Sequence, residues 1–174
     1  MMGPDAWPTA SLLRRRSCPM ARRVLVEQSQ VVVSNNPEEV LEARGIASCV
    51  AVCVHDARAR AGGIAYIMMP SSLVEDEGCP AGAFADRAVR TLMSQMATKE
   101  ASSENCQITL VGGAEMLGAT ASDAVSGLGR RNIQAVESLL RTRRLGVANR
   151  HLGGHRARDV GLRIADGQIA VAER

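Results

Sequence analysis

Thiols and imidazoles are the side chains of this sequence best suited to nucleophilic and acid–base chemistry. Five cysteines (Cys18, Cys49, Cys53, Cys79, Cys106) and three histidines (His55, His151, His155) supply them. A cysteine attacks as its thiolate, and a histidine titrating near neutral pH can take the thiol proton and later return it. Cys49 stands in the apolar run Ser48-Cys49-Val50-Ala51-Val52-Cys53-Val54, where a cysteine read by itself is a small buried hydrophobe. His55, six residues further along the same strand, is about 20 Å away at about 3.3 Å per residue and cannot reach the thiol. Cys53 lies on the same strand face as Cys49, and with His151 and His155 it sketches a metal site, but the spacing is unspecific.

The cysteine count is odd and no paired CxxC motif occurs, so reduced thiols in a cytosolic protein are the simpler expectation. Gly112-Gly113 resembles a phosphate-cradling turn, but neither the P-loop lysine nor a complete GxGxxG accompanies it. Tight backbone passage is the better account of those glycines.

These residues need elements to hold them. Val24-Leu25-Val26 and Val31-Val32-Val33 read as a hairpin or two short strands around Glu27 to Gln30, and Pro37 to Leu41 as one helical turn. The run Ser48 to Val54 is apolar throughout, as in a strand buried on both faces. Ile64 to Met69, led by Gly62-Gly63, reads as a second buried strand joined to it by a hairpin. Phe84, Ala88, Val89, Leu92, Met93 and Met96 recur at helical spacing. A strand follows at Ile108 to Val111, then a second helix through Ile133, Val136, Leu139 and Leu140, ending in Arg141, Arg143, Arg144 and Gly146. Val160 to Ala165 and Gln168 to Ala172 form a closing hairpin about Asp166-Gly167. No internal repeat or low-complexity tract stands out.

A chain of 174 residues suffices for one domain with its own core. Apolar residues make up 46% but aromatic ones only 2%, which argues against a stacking platform for single-stranded nucleic acid. The net charge is +3, and neither Arg14-Arg15-Arg16 nor the arginines from Arg141 to Arg144 form a phosphate-binding stripe. No run approaches the roughly 20 apolar residues of a membrane span, and Leu12-Leu13 before the arginines lacks the order of a secretory signal. Residues 1–21, with Pro4, Pro8 and Pro19, carry no periodicity and read as a disordered tail, within which Met20 heads an alternative start to Met1.

Five stretches, in order, resemble the CheD family of chemotaxis proteins: Ala47-Ser48-Cys49-Val50; Gly62-Gly63-Ile64-Ala65 before Met69-Pro70; Ala85-Asp86-Arg87-Ala88-Val89; Gly112-Gly113-Ala114-Glu115-Met116; and Gly129-Arg130-Arg131-Asn132-Ile133. Each is weak alone, and their shared order and spacing carry the resemblance from Val24 to the C terminus. It implies a single α+β domain over 22–174, of mixed β-sheets flanked by two main helices and similar to cysteine-dependent deamidase toxins. It also implies a cofactor-free protein-glutamine deamidase of the cytoplasm. In that reaction a thiolate attacks the side-chain amide of a chemoreceptor glutamine, ammonia leaves, and water releases the thioester as glutamate.

Carried over by position, Cys49 matches the family's nucleophile, Tyr66 its histidine and Ala43 a threonine six residues before the nucleophile. Tyrosine, with an unperturbed pKa of about 10, is a poor base at neutral pH, and alanine offers no hydroxyl. Losing an acid–base partner typically costs about 10²- to 10⁴-fold in rate. Three readings follow: a weakened deamidase; a base relocated to His151 or His155 in the loop around Leu152-Gly153-Gly154; or a silent binding module that still engages chemoreceptors or a CheC-type phosphatase.

Overall fold

The computed structural model describes residues 21–71, 78–115 and 127–174. Nine strands and two helices occur among them: β1 (Arg22–Leu25), β2 (Val31–Ser34), β3 (Glu39–Ile46), β4 (Val50–Asp56), β5 (Ala61–Ile67), α1 (Ala85–Ala97), β6 (Gln107–Gly112), α2 (Leu128–Thr142), β7 (Val147–Leu152), β8 (Arg158–Arg163) and β9 (Ile169–Glu173). The supposed tail falls outside the described residues except for Ala21.

The strands form two sheets, a four-stranded one ordered β1-β3-β8-β9 and a five-stranded one ordered β2-β5-β4-β6-β7. Both are mixed: β1 with β3 and β6 with β7 pair in parallel, and the other pairs are antiparallel. The expectation of mixed sheets with two main helices is met.

The alternation of side chains in β4 builds two cores at once. Val50, Val52 and Val54 face α1 and α2, where they meet Ala88, Val89, Leu92, Met96, Val136 and Leu140. Ala51 and Cys53 face the other sheet, where Leu41, Ala43 and Ile46 of β3 and Val160, Leu162 and Ile164 from β8 and its end close over them. Every residue of β4 and β5 is buried, which explains why both read as unbroken apolar runs.

Three expectations need correction. Val24 to Val26 and Val31 to Val33 do not pair as a hairpin, because β1 joins β3 while β2 crosses to β5 in the other sheet. Pro37 to Leu41 is not a helical turn, since β3 begins at Glu39 and its carboxylate at Glu42 is held by Arg23 (2.7 Å) and Arg44 (2.9 Å). The last hairpin is wider than a two-residue turn: Arg163 N–H donates to Gln168 O, and Ile164 leaves the strand to donate its N–H to Glu39 O.

Candidate functional site

Cys49 is not on the strand but immediately before it, partly accessible at the mouth between the sheets. Its segment is held by carbonyls turned toward neighbours. Gly113 N–H donates to Cys49 O (2.7 Å) and Ala114 N–H to Ala47 O (2.8 Å). That close approach explains Gly112-Gly113. A Cβ on Gly112, at φ +115°, would lie 2.3 Å from Cys49 O, and one on Gly113, at φ +67°, would lie 2.4 Å from the Ile133 side chain.

Tyr66 on β5 faces the same inter-sheet layer and is 1% exposed. Since Ala51 is paired with Tyr66 and Val50 with Ile67, Cys49 and Tyr66 are diagonal neighbours across the open end of this strand pair, about 7 Å apart by sheet geometry. The tyrosine hydroxyl donates to Arg44 O (3.1 Å). Burial pushes its pKa up to about 12, against a lowering contact with the Gln28 side chain and with smaller upward contributions from Cys49 and Asp159. Such a hydroxyl donates a proton poorly and accepts one only in a form absent at neutral pH.

Ala43, fully buried on β3, lines the same layer one residue before the carbonyl that receives the Tyr66 hydroxyl. The carbonyl reaches Tyr66 because β3 bulges between Ala43 and Ile46. The bulge is pinned where Gly45 N–H, at φ +67°, donates to Asp159 Oδ1 (2.7 Å).

Burial raises the Cys49 pKa above its ordinary value near 9, and a hydrogen bond from the residue's own N–H offsets part of that rise. The thiol is therefore protonated at neutral pH. Cys53, wholly buried on the same face, is pushed up to about 12 and is inert.

Neither His55 nor His151 stands beside Cys49. His55 is buried at the far end of β4 and donates from Nε2 to Ile164 O (2.9 Å). His151 is not in a loop but on β7, in register with Val111, which in turn faces Ala51. Two strand spacings and two residues separate it from Cys49, about 12 Å. His155 is exposed, and its Nδ1–H donates to Glu115 O (2.9 Å). Among the described residues no group of three or more His, Cys, Asp and Glu side chains could hold a metal ion, so the Cys53 sketch has no geometric counterpart.

Sequence reasoning quoted Asn132 inside a motif but gave it no role. It is fully buried near the start of α2, and its Nδ2 donates both to Ser48 O (2.8 Å) and to Met68 O (2.9 Å). Its Oδ1 is buried without a hydrogen-bond partner among the described residues. A buried acceptor left in that state costs about 1–3 kcal/mol. The available signal was an asparagine on the apolar face of an amphipathic helix.

Comparison with known proteins bears on this arrangement. The family model described as CheD chemotactic sensory transduction matches residues 68–173, a span that begins after Ala43, Cys49 and Tyr66. The protein named chemoreceptor glutamine deamidase CheD of Thermotoga maritima is 32% identical over 142 residues, 82% of this chain and 86% of that one. A probable chemoreceptor glutamine deamidase CheD of Methanococcus maripaludis strain C5 is 30% identical over 84% of this chain and 92% of its own length. One of Clostridium botulinum strain Eklund 17B is 30% identical over 73% and 78%. With a family model matching more than half of the chain and relatives matching along most of their length, the chain belongs to the CheD family.

Proposed function

We propose that this chain acts on glutamine side chains of chemoreceptor cytoplasmic segments, with Cys49 as nucleophile, and that its turnover at neutral pH is slow. The observation that carries this reading is a partly open thiol at the mouth between the sheets, whose diagonal neighbour is a tyrosine committed to a backbone carbonyl.

The chemistry follows from the thiol. The Cys49 thiolate adds to the amide carbon of a receptor glutamine, and the carbon–nitrogen bond then breaks as ammonia leaves with a proton taken from solvent. Water attacks the thioester, the carbon–sulfur bond breaks, and glutamate and the thiol result. An ordinary cysteine is only a few per cent thiolate at pH 7, and burial lowers that fraction at Cys49. With Tyr66 where the resemblance implies an imidazole, both steps draw on water, at a typical cost of about 10²- to 10⁴-fold.

Among the described residues no helix is long and apolar enough to cross a membrane, and a substrate on the receptor's cytoplasmic segment places the work in the cytoplasm. The test is the mass shift of glutamine to glutamate on a receptor cytoplasmic fragment at pH 7 and pH 9. Slow conversion that rises with pH and vanishes in Cys49→Ala is expected. Conversion unaffected by Cys49→Ala overturns the assignment.

The buried Tyr66 hydroxyl is also compatible with a second reading. The chain then engages a receptor, or a CheC-type phosphatase, without chemistry. It requires Cys49→Ala to retain such a partner with unchanged affinity while neither form deamidates.

A further inference from the structure

Asn132 joins two peptides that belong to different parts of the chain. Ser48 lies in the turn entering β4 and Met68 just beyond β5, and both donor hydrogens of one carboxamide go to their carbonyls (2.8 and 2.9 Å). Two carbonyls can only be met by the NH₂ end, so the orientation of the amide is dictated and Oδ1 is left buried and unpartnered among the described residues.

The Ser48 carbonyl belongs to the same planar trans peptide as the Cys49 N–H, so the two point in opposite directions. Fixing the carbonyl on Asn132 therefore fixes the N–H. That N–H also bears on its own thiol, offsetting part of the upward pKa shift that burial causes. With Ala47 O held by Ala114 and Cys49 O by Gly113, the three successive carbonyls around the thiol all have assigned partners. Gly129, at the start of the same helix, meets Gly113 at backbone distance: a Cβ there would lie 2.5 Å from Gly113 O. The helix therefore cannot move independently of the Cys49 turn.

We propose that Asn132 is a positioning residue for Cys49: its carboxamide sets the Ser48–Cys49 peptide against Met68 and so fixes the direction of the Cys49 N–H. The same N–H then faces the oxygen of a substrate carboxamide as the sulfur adds to its carbon, where a fixed donor stabilises the developing negative charge. This role in the reaction rests on Cys49 being the nucleophile, whereas the fixing of the N–H can be read without any turnover.

The experiment follows alkylation of Cys49 by iodoacetamide as a function of pH, with the modified peptide identified by mass spectrometry, in the full chain and in Asn132→Ala, Asn132→Asp and Asn132→Ser. Val136→Ala, one turn further along the same helix and fully buried, serves as the comparison for plain destabilisation. Loss of the fixed N–H raises the alkylation midpoint in the Asn132 variants. Val136→Ala lowers the melting temperature and leaves the midpoint where it was.

Midpoints equal to wild type in every folded Asn132 variant overturn the proposal, as does an equal shift in Val136→Ala. Serine keeps a donor too short to bridge both carbonyls, so it supplies the reading should alanine and aspartate fail to fold. Receptor deamidation by the Cys49→Ala variant, measured alongside, reports separately on the nucleophile. Persistence of that activity would remove the catalytic half of the proposal and leave the alkylation result standing.

Discussion

At Cys49 the limiting quantity is the fraction of thiolate, because only that form adds to an amide carbon. Burial raises the thiol pKa above about 9, so alkylation of Cys49 should be slow at pH 7 and still climbing with pH above 9; a rate already level at pH 7 would show an activated thiol. Tyr66 gives a second pH signature. Its folded-state pKa of about 12 lies above the roughly 10 of an unfolded tyrosine. Its contribution to stability is therefore fully present below pH 10 and lost as pH rises from 10 toward 12. Tyr66→Phe should remove the hydrogen bond to Arg44 O, worth about 1 kcal/mol at neutral pH, and flatten the alkaline loss of stability measured by denaturant unfolding. An unchanged alkaline profile would mean that the hydroxyl does not titrate in this environment.

Among the elements, the segment from Gly112 to Ala114 has the least freedom. A methyl on Gly112 would strain a backbone at φ +115° and press 2.3 Å from Cys49 O and 2.5 Å from Ile46. Gly112→Ala should therefore cost at least about 2 kcal/mol, a fall in melting temperature of about 5 °C or more for a domain of this size; an unchanged melting temperature would contradict the packing described. The same elements show what a sequence does and does not carry. β4, β5, α1 and α2 were legible because a strand between two cores is apolar throughout and a helix on a sheet repeats its apolar side every three to four residues. β3 was not, because Pro37-Glu38-Glu39 has the composition of a helix start, and the partners of Glu42 are an arginine on another strand and one two residues on. Its alternation of Leu41 and Ala43 with Glu42 and Arg44 was the overlooked signal. β7 carries almost no apolar signal: its central residues are exposed at a sheet edge, and it is a strand because β6 offers it hydrogen bonds. Missing β7 also misplaced His151. Cys49, Tyr66 and Ala43 came from the resemblance, and their shared layer between the sheets follows from long-range pairing that no local pattern encodes.

On the scale of the whole molecule, the candidate site is the open end of a sandwich, formed where β4 begins, β5 ends and the start of α2 closes against both. Tyr66 and Ala43, at the positions where the resemblance implies a histidine and a threonine, are packed side chains of the inter-sheet core. That makes the site reparable in place. Histidine is smaller than tyrosine, so Tyr66→His with Ala43→Thr should fold, at the expense of a small void and an imidazole in need of a partner. An imidazole beside Cys49 would draw off the thiol proton and return it to the departing ammonia. The decisive measurement is glutamine-to-glutamate conversion on a chemoreceptor cytoplasmic fragment by wild type, by the double variant, and by the double variant carrying Cys49→Ala. A gain of about 10²-fold or more is expected in the double variant, abolished by Cys49→Ala. A wild type already as fast as the double variant, and equally dependent on Cys49, would show that Tyr66 and Ala43 do not limit turnover.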